Sequence, residues 1–326
     1  MVPAPMKLPI GIVGDIGGTH ARFALLDEAN MPQRLQVLAV ADFAGPVEAM
    51  QAYLAASASP APSAAAIAIA APVHDGVVAL TNASWSFSRE RITARLGLRK
   101  LLLLNDFSAL ALSLPRLPAA ELRQVGSGSP APGATKAVLG PGTGLGVSGL
   151  LHHAGGWLPL SGEGGHCSLA PADPREAAIL ALAWREFEHV SAERLLSGSG
   201  LPLLHRLVAT VDGRTHVPLS TVEIVARAVA GDDRQCVAVI DTFCALLGSV
   251  AGNLALTLGA RGGVYVGGGI IPRLGEIFDR SPFRARFEAK GRFASYLATV
   301  PTYVILSPAP ALLGAAQALA ACEGCR

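Results

Sequence analysis

The stretch GDIGGTHAR, Gly14 to Arg22, sits between two apolar runs, Leu8–Val13 before it and Ala21–Leu26 overlapping its end. No helical period follows the glycines, so the segment reads as strand, glycine-rich turn and strand. Backbone amides without a Cβ can surround phosphate oxygens, and Thr19 adds a hydroxyl donor. A carboxylate beside phosphate is repulsive unless a cation intervenes, so Asp15 points to Mg2+ held directly or through water. The stretch is not a Walker loop, because the GK[ST] ending and the following helix are both missing. A dinucleotide-binding fingerprint fails for the same reason. Taken alone, the segment is equally well read as a plain glycine-rich hairpin.

Working outward, further buried strands are expected at Ala66–Ala70 and Lys100–Leu104, the latter running into Asn105-Asp106 and a helix-like Phe107–Leu114. Such continuous apolar runs belong to strands buried on both faces, so a mostly parallel or mixed sheet covered by helices is expected. Gly126–Thr135 reads as an exposed connection. Beyond it the opening pattern recurs: Ala137–Leu139 is apolar, Gly140–Gly146 reads GPGTGLG, and Val147–Leu151 is apolar again. Two strand–turn–strand units one domain apart suggest a duplicated architecture. Arg175–Phe187, Val222–Ala230 and Val237–Leu258 are helical by pattern, Gly263–Val266 is a last buried strand, and Ala311–Ala321 is a terminal helix.

With 326 residues the chain has about two domain-lengths. Its 51% apolar and 15% charged residues exclude a disordered polymer. A formal net charge of +2 without a long basic block excludes the electrostatic footprint of a nucleic-acid binder. The run Leu8–Gly14 is short and ends at Asp15, unlike a signal peptide. Val237–Gly259 is long enough to span a bilayer but carries Asp241, Asn253 and two interior glycines. Val237, Ile240, Cys244, Leu247, Ala251, Leu254 and Leu258 form the stripe of a helix packed on a core, so no membrane is expected. The cysteines Cys167, Cys236, Cys244, Cys322 and Cys325 are odd in number and scattered, which favours reduced thiols in the cytoplasm. The terminal CxxC of Cys322 and Cys325 lacks two further zinc ligands and reads as inert.

Several segments could carry chemistry. Asn105-Asp106 ends an apolar strand, where open α/β sheets place their ligands, and Asp106 there can take a proton from a substrate hydroxyl. The alternative is that one of the pair caps the following helix. In SGEGGH, Ser161 to His166, Glu163 and His166 offer an acceptor and a donor on a glycine-softened backbone, as a polyhydroxylated ligand needs. Zinc is the rival there, without an HExxH or HxxEH pattern to support it. His152 and His153 are expected in a solvated turn. In HVSAERLLSG, Ser191 could cap a helix and Arg194 could pair locally, with Glu193 a first-turn carboxylate. Thr143 in the second glycine run mirrors Thr19, so the two turns could grip one polyphosphate. Gly267-Gly268-Gly269 either lets a flat ring lie on bare backbone or makes a tight turn.

Taken in order, GDIGGTHARFALL, TNASWSFS, LLLLNDFSALA, GPGTGLGV, SGEGGH, HVSAERLLSGSGL, GGVYVGGGIIPR and KGRF resemble the bacterial glucokinase family of the hexokinase, actin and heat-shock ATPase superfamily, from about Pro9 to Ala316. The resemblance implies an α/β two-domain actin-like ATPase (ribonuclease H-like) fold with a cleft between domains. It places a small domain at residues 1–116 plus 306–326 and a large domain at 117–305. It implies ATP- and Mg2+-dependent transfer of the γ-phosphoryl group to the 6-hydroxyl of glucose, the entry step of glycolysis, by a cytoplasmic homodimer. By the same resemblance Asp106 matches the catalytic base, and Asn105, Glu163, His166 and Glu193 match sugar-binding positions. Gly14, Asp15, Ile16, Gly17, Gly18 and Thr19 match the nucleotide-phosphate segment, with Asp15 near Mg2+. Thr143 and Gly144 match the second phosphate turn, and Gly267, Gly268 and Gly269 the adenosine wall. His20 departs from the family's usual GGTNAR, which bears on fine positioning. The cysteine-rich zinc motif of the related repressor–kinase family and a preceding helix-turn-helix are absent, which argues against a transcriptional regulator. A kinase for another hexose, such as mannose or glucosamine, and a non-catalytic sugar sensor are the remaining alternatives.

Overall fold

The computed structural model describes residues 11–58, 62–71, 77–79 and 85–322. The chain divides into two compact units, Met1–Leu117 with Ser307–Arg326, and Pro118–Leu306.

In the first unit, β1 (Ile12–Ile16), β2 (His20–Leu26), β3 (Pro32–Ala39) and β4 (Ala64–Ile69) precede a short hairpin of β5 (Val77–Ala79) and β6 (Ser86–Ser88), and β7 (Lys100–Asn105) follows. The five-stranded sheet has the order β3-β2-β1-β4-β7. β1 runs antiparallel to β2 and parallel to β4, which is parallel to β7. The sequence AAAIAI makes β4 suited to its interior place between β1 and β7, since alternate side chains point to opposite faces. Ala65, Ile67 and Ile69 join the core under Phe23, Met50, Tyr53 and Trp85. Ala64 and Ala66 face Leu312, Ala315, Ala316 and Leu319 of the terminal helix Pro310–Ala321. The small alanines let that helix lie close, and it also crosses the helix Asp106–Ser113, where a Cβ on Gly314 would collide with the carbonyl of Ala109.

In the second unit, β8 (Leu122–Val125), β9 (Lys136–Pro141), β10 (Leu145–His153), β11 (Gly156–Leu160), β12 (Val264–Val266) and β13 (Thr302–Ile305) form a sheet of order β11-β10-β9-β12-β13-β8. Its first five strands repeat the order and orientations of the first sheet: β9 is antiparallel to β10 and parallel to β12, which is parallel to β13. The duplication read from the two glycine turns is therefore a duplication of whole sheets, and β8 is an added antiparallel edge.

The long helix Arg234–Leu258 is buried along most of its middle, including Ile240, Phe243, Cys244, Leu247 and Ala251. Its length and apolarity would suffice to cross a membrane, yet 67% of its most apolar stretch is buried inside the protein. Gly248 and Gly252, one turn apart, make it a core helix: a Cβ on either would strike the carbonyls of Phe283 and Phe287 in the helix Phe283–Glu288. His152 and His153 are not in a turn. They close β10 opposite Trp157 and Gly156, and the turn is Ala154-Gly155. The helix expected over Arg175–Phe187 runs from Pro174 to Ala183, capped by Asp173. Of the family-like segments, Thr81–Ala83 and Ser84, like Pro9 and Ile10, lie outside the described residues, as does Cys325.

Candidate active site

In the first unit the glycine turn is shorter than the sequence suggests. Gly14, Asp15 and Ile16 belong to β1, and only Gly17, Gly18 and Thr19 turn the chain. Gly14 is a packing glycine, for a Cβ there would come within 2.9 Å of the Phe23 and Ile67 side chains. The Gly17 N–H donates to the carbonyl of His20 at 3.0 Å, closing the turn. What the turn offers a phosphate is thus the Gly18 and Thr19 backbone and the exposed Thr19 hydroxyl. Asp15 stands directly opposite Arg22 in the hairpin register, and Arg22 Nη1 donates to its Oδ2 at 3.1 Å. Burial still pushes the Asp15 carboxyl above its usual range, the Arg22 charge pulling the other way with less effect.

β7 ends at Asn105. Its side-chain oxygen accepts the N–H groups of Phe107 and Ser108 at 3.0 and 3.1 Å, so Asn105 is the helix cap. This leaves its NH2 group as a donor. Asp106, the first residue of the helix, accepts from the Phe107 N–H at 2.9 Å through Oδ1. The cap and the acid are therefore separate neighbours. Ile16, Ile69 and Asn105 are aligned across β1, β4 and β7. The first glycine turn and Asp106 thus share the carboxyl edge of one sheet, two strand spacings or about 10 Å apart.

In the second unit, Gly142, Thr143 and Gly144 turn the chain between β9 and β10, with Thr143 exposed. The Gly142 N–H donates to the Gly144 carbonyl at 2.8 Å. Glu193 sits directly behind this turn: its Oε2 accepts the Leu145 N–H at 2.8 Å, and a Cβ on Gly144 would run into the same oxygen. Its other oxygen, Oε1, lies 3.9 Å from His166 Nδ1. Glu193 is a first-turn carboxylate of the helix Ala192–Leu195, but its two oxygens are directed at the Leu145 N–H and towards His166 rather than left to solvent.

His166 ends the one-turn helix Gly164–His166, which lies on the start of β10, since a Cβ on Gly165 would collide with the Leu145 carbonyl and one on Gly164 with Val147. A short antiparallel pairing holds it there: the Ala192 N–H donates to the Cys167 carbonyl at 2.9 Å and the Leu169 N–H to Val190 at 3.0 Å. The structure thus brings His166 and Glu193 together. Glu163 stands exposed at the start of the same turn, its carbonyl accepting the His166 N–H at 3.0 Å. Ser191 does cap the helix Ala192–Leu195, through the Arg194 N–H at 3.2 Å. Arg194, expected in a local ion pair, instead lies over the Phe187 ring at 4.4 Å.

Gly268 has a packing reason. Gly268 is left-handed (φ +81°), and a Cβ there would strike the Pro141 carbonyl, while Gly140 abuts Gly267. Gly269 faces open space. The sequence reading missed four contributors: Arg22, the Leu145 amide, Gly165 and Gly198, whose N–H donates to the Gly142 carbonyl at 2.7 Å. Arg22 was findable, because a hairpin centred on Gly18-Thr19 pairs 15 with 22. The others arise from contacts distant in sequence.

Five strands in one order, used twice, each set opening on a glycine turn, define an actin-like ATPase fold of the sugar-kinase class. The solved glucokinase from an Antarctic psychrotroph is 36% identical with a TM-score of 0.88, covering 97% of this chain and 100% of that one. A ROK family glucokinase from Streptomyces griseus, solved in complex with glucose and AMPPNP, shares the fold at 21% identity and a TM-score of 0.66, with 95% and 99% of the two chains covered. The family model described as Glucokinase matches residues 12–322. Glucokinases of Aromatoleum aromaticum and Chromobacterium violaceum are 55% and 54% identical, covering 94% and 95% of this chain and 94% and 89% of their own. The chain belongs to the glucokinase family.

Proposed function

We propose that this protein transfers the γ-phosphoryl group of ATP to the 6-hydroxyl of glucose, giving glucose 6-phosphate and ADP, with Asp106 as the general base. The observation that carries the reading is the placement of Asp106 at the carboxyl edge of β7, fixed by the Phe107 N–H and sharing that edge with the first glycine turn. Relatives named glucokinase at 54–55% identity support the choice of sugar.

In this reading Asp106 accepts the proton of the 6-hydroxyl as its oxygen attacks phosphorus in line, a contribution worth about 10²–10⁴ in rate. The Asn105 NH2, Glu163, His166 and Glu193 hold the remaining sugar hydroxyls, and dense, oriented donors and acceptors of this kind select one polyhydroxylated ligand over another. Thr19 and Thr143 with their glycine neighbours meet phosphate oxygens, and Gly269 gives the adenine an unobstructed stretch of backbone. Asp15 fits Mg2+ as a single carboxylate acting with water and phosphate oxygens, the usual manner for this ion. Among the described residues no three His, Cys, Asp or Glu side chains converge, so an all-protein cage is not offered. Mg2+ bound there would neutralise phosphate charge as it builds. A cytoplasmic homodimer belongs to the same reading, and the free thiols of Cys167, Cys236, Cys244 and Cys322 suit a reducing compartment.

Replacing Asp106 by Asn preserves shape and removes the proton acceptor. Glucose affinity should stay near wild type while turnover falls at least about 100-fold. Wild-type turnover in D106N would discard Asp106 as base. ADP release measured with glucose, mannose, glucosamine and no sugar tests the substrate: a higher kcat/KM for another hexose would reassign it, and no sugar-dependent release at all would leave a binding protein.

A further inference from the structure

Thr221 opens the helix Thr221–Ala230, and its hydroxyl donates to the carbonyl of Gly198. Gly198 in turn donates its N–H to the carbonyl of Gly142 at 2.7 Å. Gly142 is the first residue of the second glycine turn, so a hydroxyl from a remote helix terminates a two-bond relay at that turn.

The helix has no need of this hydroxyl. Ser220 is its cap, accepting the Glu223 N–H at 3.3 Å, while Glu223 Oε2 accepts the Ser220 N–H at 2.8 Å in a complete capping box. Threonine is also a weak helix former, so propensity does not explain its place at the first helical position. Its hydroxyl is aimed at the loop. Glycine suits the middle of the relay, because a Cβ would stand 3.0 Å from the Gly142 carbonyl oxygen and crowd the bond. Gly198 is thus held from both sides, by its carbonyl on Thr221 and by its N–H on Gly142. The far end of the turn has its own anchor in the Glu193 carboxylate on the Leu145 N–H.

We propose that Thr221 is a positioning residue for nucleotide binding: acting through Gly198, it fixes Gly142 and so aims the Thr143 and Gly144 amides and the Thr143 hydroxyl at the phosphates of ATP. The inference rests on the assignment of that turn to the nucleotide. Without the hydroxyl, the Gly198 carbonyl loses its partner, the loop relaxes, and the Gly142 end of the turn is no longer pinned.

The test is steady-state kinetics with ATP and glucose varied separately in T221V, T221S and T143A, alongside thermal melts. T221V, which keeps the shape and removes the hydroxyl, is expected to raise KM for ATP about three- to tenfold, with KM for glucose within about twofold of wild type. T221S restores the hydroxyl and should return KM for ATP to near the wild-type value. An unchanged KM for ATP in T221V, an equal shift in KM for glucose, or a T221S that behaves like T221V each overturns the proposal. Should T221V fail to fold, T221A removes the same hydroxyl and is read in the same way. T143A separates the two layers: if it raises KM for ATP while T221V does not, the relay alone falls, and if it leaves KM for ATP unmoved, the nucleotide reading of the turn falls and takes the relay with it.

Discussion

Burial raises the Asp15 carboxyl above its ordinary pKa of 3.8, and Arg22 offsets only part of that shift. A carboxyl raised in the folded state binds its proton more tightly there than in the unfolded chain. Folding therefore carries no penalty from Asp15 below the unfolded pKa, and the penalty grows as pH rises through the folded pKa. A charge retained at a cost to stability fits a residue that serves a cation. D15N removes the charge and keeps the shape, so the free variant should melt above wild type at pH 7, with the difference vanishing near pH 3. If Asp15 serves Mg2+ as proposed, turnover of D15N should also fall by on the order of 100-fold. Melts of the two proteins across that pH range, paired with ADP-release assays, check both parts, and a D15N that melts below wild type at pH 7 would show that the Arg22 pair outweighs desolvation. The acid itself was legible in the sequence because a carboxylate among glycines is conspicuous. The Arg22 pairing is carried by the register of the two-stranded hairpin, which sets 15 opposite 22.

Helix caps link sequence to site at the scale of single elements, and Asp173 is the clearest case away from the site. Its Oδ1 accepts the Glu176 N–H at 2.8 Å, and its Oδ2 binds Arg286 at 2.8 Å. The Glu176 amide first, and Arg286 after it, hold the carboxyl below its usual range. A depressed carboxyl contributes stability that is fully present above the unfolded pKa and lost as pH falls through the folded one. D173A should destabilise by about 1 kcal/mol at neutral pH, the cost of a lost cap, and the gap to wild type should narrow in acid. D173N, which still caps, should lose much less, since the ion pair is 40% exposed on the Asp173 side and contributes little. Denaturant titrations at pH 7 and pH 3 read both, and equal losses in D173A and D173N would assign the effect to Arg286 instead. Elements with a buried face on an apolar run, such as β4 and β7, were legible. The edge strand PQRLQVLA of β3 was not, because most of it faces solvent and its apolar residues include the exposed Leu35 and Val37. Glycine misled in the other direction: Gly14 and Gly140 read as loop, yet each lies in a strand where the missing Cβ admits a neighbour.

Across the whole molecule, a duplicated architecture was legible from two strand–glycine turn–strand units, whereas the shared order of the two sheets and the added edge strand β8 were not, because strand order is set by pairings distant in sequence. The return of the last twenty residues to the first unit has no local signature, since an Ala- and Leu-rich helix packs on any small-residue face. Its destination is set by the alanine face of β4 and by Gly314, which passes over the Ala109 carbonyl. Ala109 lies in the helix that begins with Asp106, so the end of the chain buttresses the proposed catalytic acid from behind. G314A tests this arrangement with two opposed effects. Alanine favours the helix by up to about 1 kcal/mol over glycine. Its Cβ would also overlap a backbone carbonyl, and overpacking costs about 1–3 kcal/mol when neighbours cannot yield. Leu312, Ala315, Ala316 and Leu319 are embedded in the sheet, so the terminal helix has little room to lift, and the clash is expected to win. G314A should therefore lower Tm by a few degrees and reduce kcat more than it raises KM for ATP, because the helix carrying Asp106 shifts while the glycine turns of β1 and β9 stay in place. Melting and steady-state kinetics decide the matter, and a G314A protein with unchanged or higher Tm would mean that the two helices cross with room to spare.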